Sequence, residues 1–201
     1  QEDSSVYYAG YGDRFRDQMQ FVQDFYEKRI YRPIIKIGDV AVSETKDHLR
    51  KPPLDGYSVL SAGSLWGEEW ASAWFHFVFT VPDTASGKAI YVVPHTNAVE
   101  TLCFINGKPA GIINSKNTFL GGWHSALFVT DNAVPGEEYD IALECYAGHF
   151  WIGDHPNLNY GLEHAGTYSH TYDGIDVCVM HKPTRDFCFD LSTVRQLADM
   201  P

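Results

Sequence analysis

Between Gly148 and His170 the sequence reads GHFWIGDHPNLNYGLEHAGTYSH. This stretch gathers His149, Trp151, Asp154, His155, His164 and His170. A metal would be held by several imidazoles and a carboxylate. The spacing lacks a compact pair, such as two histidines four apart on one helix, so no metal ligand is assigned. A sugar would use the stretch differently. An indole stacks on a pyranose face while Asp, Asn and His bind the hydroxyls. On that reading Trp123, His149, Trp151, Asp154 and His155 are the candidate substrate-binding residues, with Trp123 on the preceding loop. The plainer reading is a long loop whose histidines are hydrogen-bonded or solvated.

Catalytic groupings are not legible elsewhere. Glu68 and Glu69 are adjacent and would point apart in a strand. They cannot flank one glycosidic bond at the roughly 5 Å of a retaining pair. No serine sits in a G-x-S-x-G turn. No catalytic residue is assigned.

The elements that must position these residues are mostly strands. From Ser64 to Ile113 four strands run in succession. In the first, Phe75, Phe77, Phe79 and Val81 share one face and Trp74, His76, Val78 and Thr80 the other, an alternation suited to one core-facing side. Pro82-Asp83 stops it and Gly87 closes the turn. Ala89–Val93 and Thr101–Ile105 follow. Asn106-Gly107 then tolerates positive φ at both positions, a hairpin signal, and Ala110–Ile113 returns. Further strands are expected at 34–43, 124–130, 139–147, 175–180 and 186–191, with turn-rich Lys46–Tyr57 as a surface loop. In 139–147, Tyr139, Ile141, Leu143 and Cys145 face one way, and Asp140, Ala142, Glu144 and Tyr146 the other. About nine or ten short strands with turn signals between them predict an antiparallel β-sandwich, mainly β in class.

Asp13–Tyr31 predicts the one long helix, with a stripe of Phe15, Met19, Val22, Tyr26 and Ile30, and with Phe21 and Phe25 beside it. Leu191, Val194, Leu197 and Ala198 predict the start of a C-terminal helix. Three segments are expected: 1–32 with the helix, 33–184 as the sandwich, and 185–201 as a connector towards a catalytic domain.

The chain has 201 residues, 44% of them hydrophobic, which suffices for one real core. Its formal charge is -11, a surface that repels phosphate backbones and anionic lipid, so neither nucleic acid nor membrane is an expected partner. No apolar run approaches the roughly 20 residues that cross a bilayer, and no signal peptide is visible. Cys103, Cys145, Cys178 and Cys188 lack zinc-ribbon spacing and fall within expected strands. They read as free buried thiols, which favours a reducing, cytoplasmic location.

Several motifs together resemble one family. GSLWGEEW leads into WFHFVFTVP, LCFINGKPAG follows, an Arg- and Phe-bearing helix comes first, and RDFCFDLSTVRQLADMP comes last. This series is similar to the N-terminal β-sandwich of glycoside hydrolase family 38 α-mannosidases. The resemblance implies a jelly-roll-like (galactose-binding-like) antiparallel sandwich with an N-terminal helix and a C-terminal helical connector. It implies a non-catalytic module that supports its own catalytic domain and contacts mannose-containing glycan. The parent would hydrolyse terminal α-mannosides by a retaining mechanism with a divalent, zinc-like metal. The module itself needs no cofactor: the family's metal signature begins His-x-Asp, and none of the nine histidines has Asp two residues on. A stand-alone carbohydrate-binding module and a purely structural interaction domain are the alternatives. Exposed apolar residues on the terminal helices predict self-association into a homo-oligomer, or a last helix folded back on the sandwich.

Overall fold

The computed structural model describes residues 5–114, 125–148 and 168–198. It divides into two units, Pro33–Val179 and a second made of Gln1–Arg32 with Met180–Pro201.

The first unit is an antiparallel β-sandwich. Its strands are β1 (Tyr31–Ile37), β2 (Asp39–Thr45), β3 (Ser58–Ser61), β4 (Leu65–Trp66), β5 (Ser72–Thr80), β6 (Ile90–Pro94), β7 (Glu100–Ile105), β8 (Lys108–Ile113), β9 (Leu127–Thr130), β10 (Glu138–Tyr146), β11 (His170–Thr171) and β12 (Ile175–Met180). One sheet has the order β3-β2-β5-β10-β7-β8, the other β1-β12-β6-β9, and β11-β4 form a small ribbon.

Strand β5 carries the alternation read from the sequence. Phe75, Phe77, Phe79 and Val81 are buried, and Val78 and Thr80 are exposed. It pairs with β10 from Ser72↔Tyr146 to Thr80↔Glu138. Tyr139, Ile141, Leu143 and Cys145 therefore lie in the same layer as the phenylalanines. Ile90, Val92, Leu127, Ile175 and Val177 from the other sheet complete the core. The hairpin between β7 and β8 forms at Asn106 (φ 51°) and Gly107 (φ 72°). The Asn106 side chain accepts from the Asp140 amide at 3.0 Å, which ties the turn to β10.

Two strand expectations change. The segment 34–43 is not one strand, because Gly38 divides it into β1 and β2. The segment 186–191 is helical, within α2 (Lys182–Ala198). Its Phe187, Phe189 and Leu191 have a period of two, but Thr184, Cys188, Leu191 and Arg195 repeat at helical spacing. Pro183 sits in the first turn, where its missing N–H costs nothing. Only Cys188 of these is fully buried, and both phenylalanines stay exposed.

The second unit pairs α2 with α1 (Ser5–Glu27). Helix α1 ends four residues before the expected Tyr31, which opens β1 ahead of Pro33. Its packed face is Met19 and Gln23 rather than the whole expected stripe, and Phe15 and Tyr26 are exposed. The reason is polar: Arg195 of α2 donates to Gln23 Oε1 at 2.5 Å and also to Gln20, so glutamines rather than aromatics face the partner helix. Tyr26 meets Phe187 edge-on at 5.2 Å. In the second helical stripe Val194 and Leu197 stand exposed.

Two substitutions test this architecture. Leu143→Ala removes a fully buried side chain and is expected to cost about 2–5 kcal/mol in urea unfolding, against less than about 0.5 for exposed Val78→Ala. Gly67→Ala is also expected to destabilise. Gly67 has φ 85°, and an added Cβ would lie 2.9 Å from both Ala147 Cβ and the Tyr168 carbonyl.

Candidate functional site

The sugar-contact residues expected from the sequence, Trp123, His149, Trp151, Asp154 and His155, lie outside the described residues, as does His164. The chain on either side of them is described. At Gly148 the backbone turns through φ 108°, and a Cβ there would meet the Tyr168 ring and Val99 at 3.2 Å. The Gly148 carbonyl accepts from the Trp70 amide at 2.9 Å, and the Ala147 amide donates to Ala71 O at 2.9 Å. The departure and return of the 149–167 segment are thus clamped by the lead-in to β5.

His170 is the one histidine of the stretch that is described, and its bonding is structural. Its Nε2 donates to the Ala147 carbonyl at 2.7 Å, and its ring leans on Trp66 at 5.2 Å. Trp66 is buried and donates to Thr96 O at 2.8 Å. Asp173 accepts from Asn97 Nδ2 at 3.0 Å. Both members of the His170/Asp173 pair are engaged within the fold.

Around this mouth the described chain presents other aromatic and acidic groups. Trp70 is 54% exposed with φ 65°. A positive φ in a bulky residue is strained, at a cost of order 1–3 kcal/mol, and persists only where surroundings enforce it. Here the Trp70 amide bond to Gly148 and the Ala71 amide bond to Glu68 O at 3.0 Å enforce it. Tyr146 ends β10 on its outward row, between Ser72 of β5 and Glu100 of β7. Burial pushes its phenol above the usual range, and Glu100, Tyr168 and Glu69 add to the rise. Tyr168 is raised by burial and by Glu69. Two phenols and two carboxylates therefore share one electrostatic neighbourhood.

Such a set can stack on a sugar face and exchange hydrogen bonds with vicinal hydroxyls. Every resolved phenol and thiol shift among the described residues is upward. No group of three or more metal-ligating side chains occurs among the described residues. Sequence reasoning passed over Trp70, Tyr146 and Tyr168. The only signal for Tyr146 was its outward place in the β10 alternation, and nothing local marked Trp70 as strained.

Farther along the same outward face the 46–57 loop closes over the sheet. Trp74, Phe104 and Ala142 are buried there with Leu49, Tyr57 and Leu102 against them. Tyr57 packs on His76 at 5.5 Å, and His76 Nε2 lies 3.1 Å from Asp140. Burial raises the Glu144 carboxyl, and His48 partly offsets this. This stretch is a closed minor core between Tyr146 and the exposed Val78 and Thr80.

Solved structures that share the fold include β-glucuronidases. One is the enzyme from Ruminococcus gnavus in complex with D-glucuronic acid, at 11% identity and a TM-score of 0.50 over 75% of this chain and 30% of that one. Its complex with uronic deoxynojirimycin gives 12% identity and a TM-score of 0.50, over 75% of this chain and 29% of that one. The chain spans about 30% of the length of these enzymes. No protein family model matches the chain, and no curated protein does. The neighbours correct the family reading. They belong to a different glycoside hydrolase family, and the assignment to family 38 α-mannosidases is withdrawn. The motifs behind that assignment, an aromatic strand and an Asn-Gly hairpin, express the geometry of a β-sandwich and do not separate one hydrolase family from another.

The thiols give a test of burial at this end of the core. All four cysteines are unbridged and buried. Burial pushes Cys145 up to about 11 and Cys103 to about 12. In the unfolded chain a thiol ionises near 8.5. Between roughly pH 9 and 11 the unfolded state releases protons that the folded state keeps, so stability falls as pH rises through that window. The urea midpoint should be lower at pH 10 than at pH 8, with a shallower pH slope in Cys145→Ala. Thiol reagent should label all four sites only after unfolding.

Proposed function

We propose that this chain is a non-catalytic β-sandwich module of a glycoside hydrolase and that its Trp70-bearing end contacts glycan. The observation that carries the reading is the sandwich shared with part of the β-glucuronidases over 75% of this chain. The exposed Trp70, next in sequence to Glu69, and the grouping of Tyr146, Tyr168, Glu69 and Glu100 support the contact. The module supports a catalytic domain of the same protein, and Trp123 and Trp151 are further candidate sugar contacts. Glu69 and Glu100 would repel a uronate but accept from neutral hydroxyls, so the ligand is a neutral glycan, with mannose-containing sugars as one class. The unbridged thiols support a reducing, cytoplasmic setting. No described helix is long and apolar enough to cross a membrane.

The purified chain should not turn over aryl glycosides, with or without added divalent metal. Turnover that disappears on mutating one of its own residues would overturn the non-catalytic reading.

Binding is tested by chemical-shift titration with neutral oligosaccharides and, separately, glucuronate. Neutral sugars should shift Trp70 and Tyr146, and Trp70→Ala should weaken binding about tenfold, the size of an aromatic contact worth a little over 1 kcal/mol. Trp70→Gly relieves the positive φ, so it should fold at least as stably as Trp70→Ala while still losing the sugar. Absence of any shift with neutral sugars would remove the glycan contact and leave a purely structural domain.

A further inference from the structure

Charge is divided unevenly along the chain. Residues 33–179 hold 17 acidic against seven basic side chains, whereas 1–32 and 180–201 together hold nine against eight. The sandwich is thus strongly anionic and repels its own kind, while the helical unit is nearly neutral. The helical unit is also where large apolar side chains stand in water. Phe21 is 71% exposed and Phe25 44%, and on the Met19 side of the helix Phe15 is 61% and Tyr26 39% exposed.

Phe21 and Phe25 lie on the face of α1 opposite Met19 and Gln23, so packing against α2 does not use them. Reading this face along the helix at steps of three and four gives Asp17, Phe21, Phe25 and Lys28. The order is acid, aromatic, aromatic, base. Reversed, it complements itself. Asp17 and Lys28 form no ion pair among the described residues. Arg29 is already occupied, lying over the Phe25 ring at 3.6 Å.

We infer that the Asp17–Lys28 face of α1 pairs antiparallel with the same face of a second copy of this chain, about a two-fold axis. Phe21 of each copy then packs on Phe25 of the other, and Asp17 of each meets Lys28 of the other at the two ends. A two-fold interface needs this kind of self-complementary patch. At about 200 Å² per aromatic side chain, the exposed parts of Phe21 and Phe25 offer roughly 230 Å² per copy. That is under a third of the ~800 Å² per partner of a standard interface, so the dimer is weak and concentration-dependent. The inference is independent of the glycan reading, which concerns the other unit.

Sedimentation equilibrium over a range of concentrations tests it. The wild type should pass from monomer to dimer as concentration rises. Phe21→Ser with Phe25→Ser should raise the dissociation constant at least about tenfold while leaving the circular-dichroism melt unchanged. Asp17→Lys alone and Lys28→Asp alone should each weaken the dimer, and the two together should restore it, because the swapped charges again face opposite partners. A wild type that stays monomeric at every concentration overturns the inference. So does a dimer that none of these substitutions affects, or a double charge swap that is weaker than either single change.

Discussion

The fold depends on one ladder, the nine-residue pairing of β5 with β10. On its inner side Phe75, Phe77 and Phe79 oppose Leu143, Ile141 and Tyr139, and Phe79 stacks on Tyr139 with ring centroids 5.5 Å apart. A slip of one residue would turn this whole row towards solvent. The same ladder orders the outer side, where Asp140, Ala142, Glu144 and Tyr146 follow one another along β10. Every feature discussed for that face takes its position from this register.

The outward row is not uniform along its length. In its middle Trp74, Phe104 and Tyr57 pack under the 46–57 loop and close the face, and beyond them Val78 is exposed. Towards the other end β10 runs out at Tyr146, and backbone bonds from Trp70 and Ala71 to Gly148 and Glu68 hold the chain in a strained turn. Trp70 holds a φ of 65° there with its ring 54% exposed, whereas the packed patch buries Trp74 fully.

The two units differ in how they are stabilised. The sandwich has a continuous core drawn from both main sheets. The helical pair buries only Met19, Gln23, Ile30 and Cys188 among its described side chains and keeps eight large apolar side chains exposed. Two helices enclose little volume, and the glutamine–arginine contacts between α1 and α2 take up part of the face that aromatics would otherwise fill. A unit so constituted gains more from association than the sandwich does, and its near-zero charge does not oppose it.

The sequence by itself determined the class of fold and the main strands. The alternation in β5 and β10 has a period that only a half-buried strand satisfies, and Asn106-Gly107 admits the one turn that positive φ at both positions allows. It also placed the cysteines in the interior. It did not determine the family, because an aromatic strand and a tight hairpin report sandwich geometry, which unrelated hydrolases share. The tertiary structure decided the rest. Residues 186–191 have both a period of two and a helical period, and the choice fell to the helix that begins at Pro183 and buries Cys188. The α1 stripe was read from hydrophobicity alone, but Arg195, 172 residues away from Gln23, selected which face is packed. Trp70, Tyr146, Glu69 and Glu100 come from three separate segments. Their proximity arises only when β5, β7 and β10 are in register, and no local pattern in the chain encodes it.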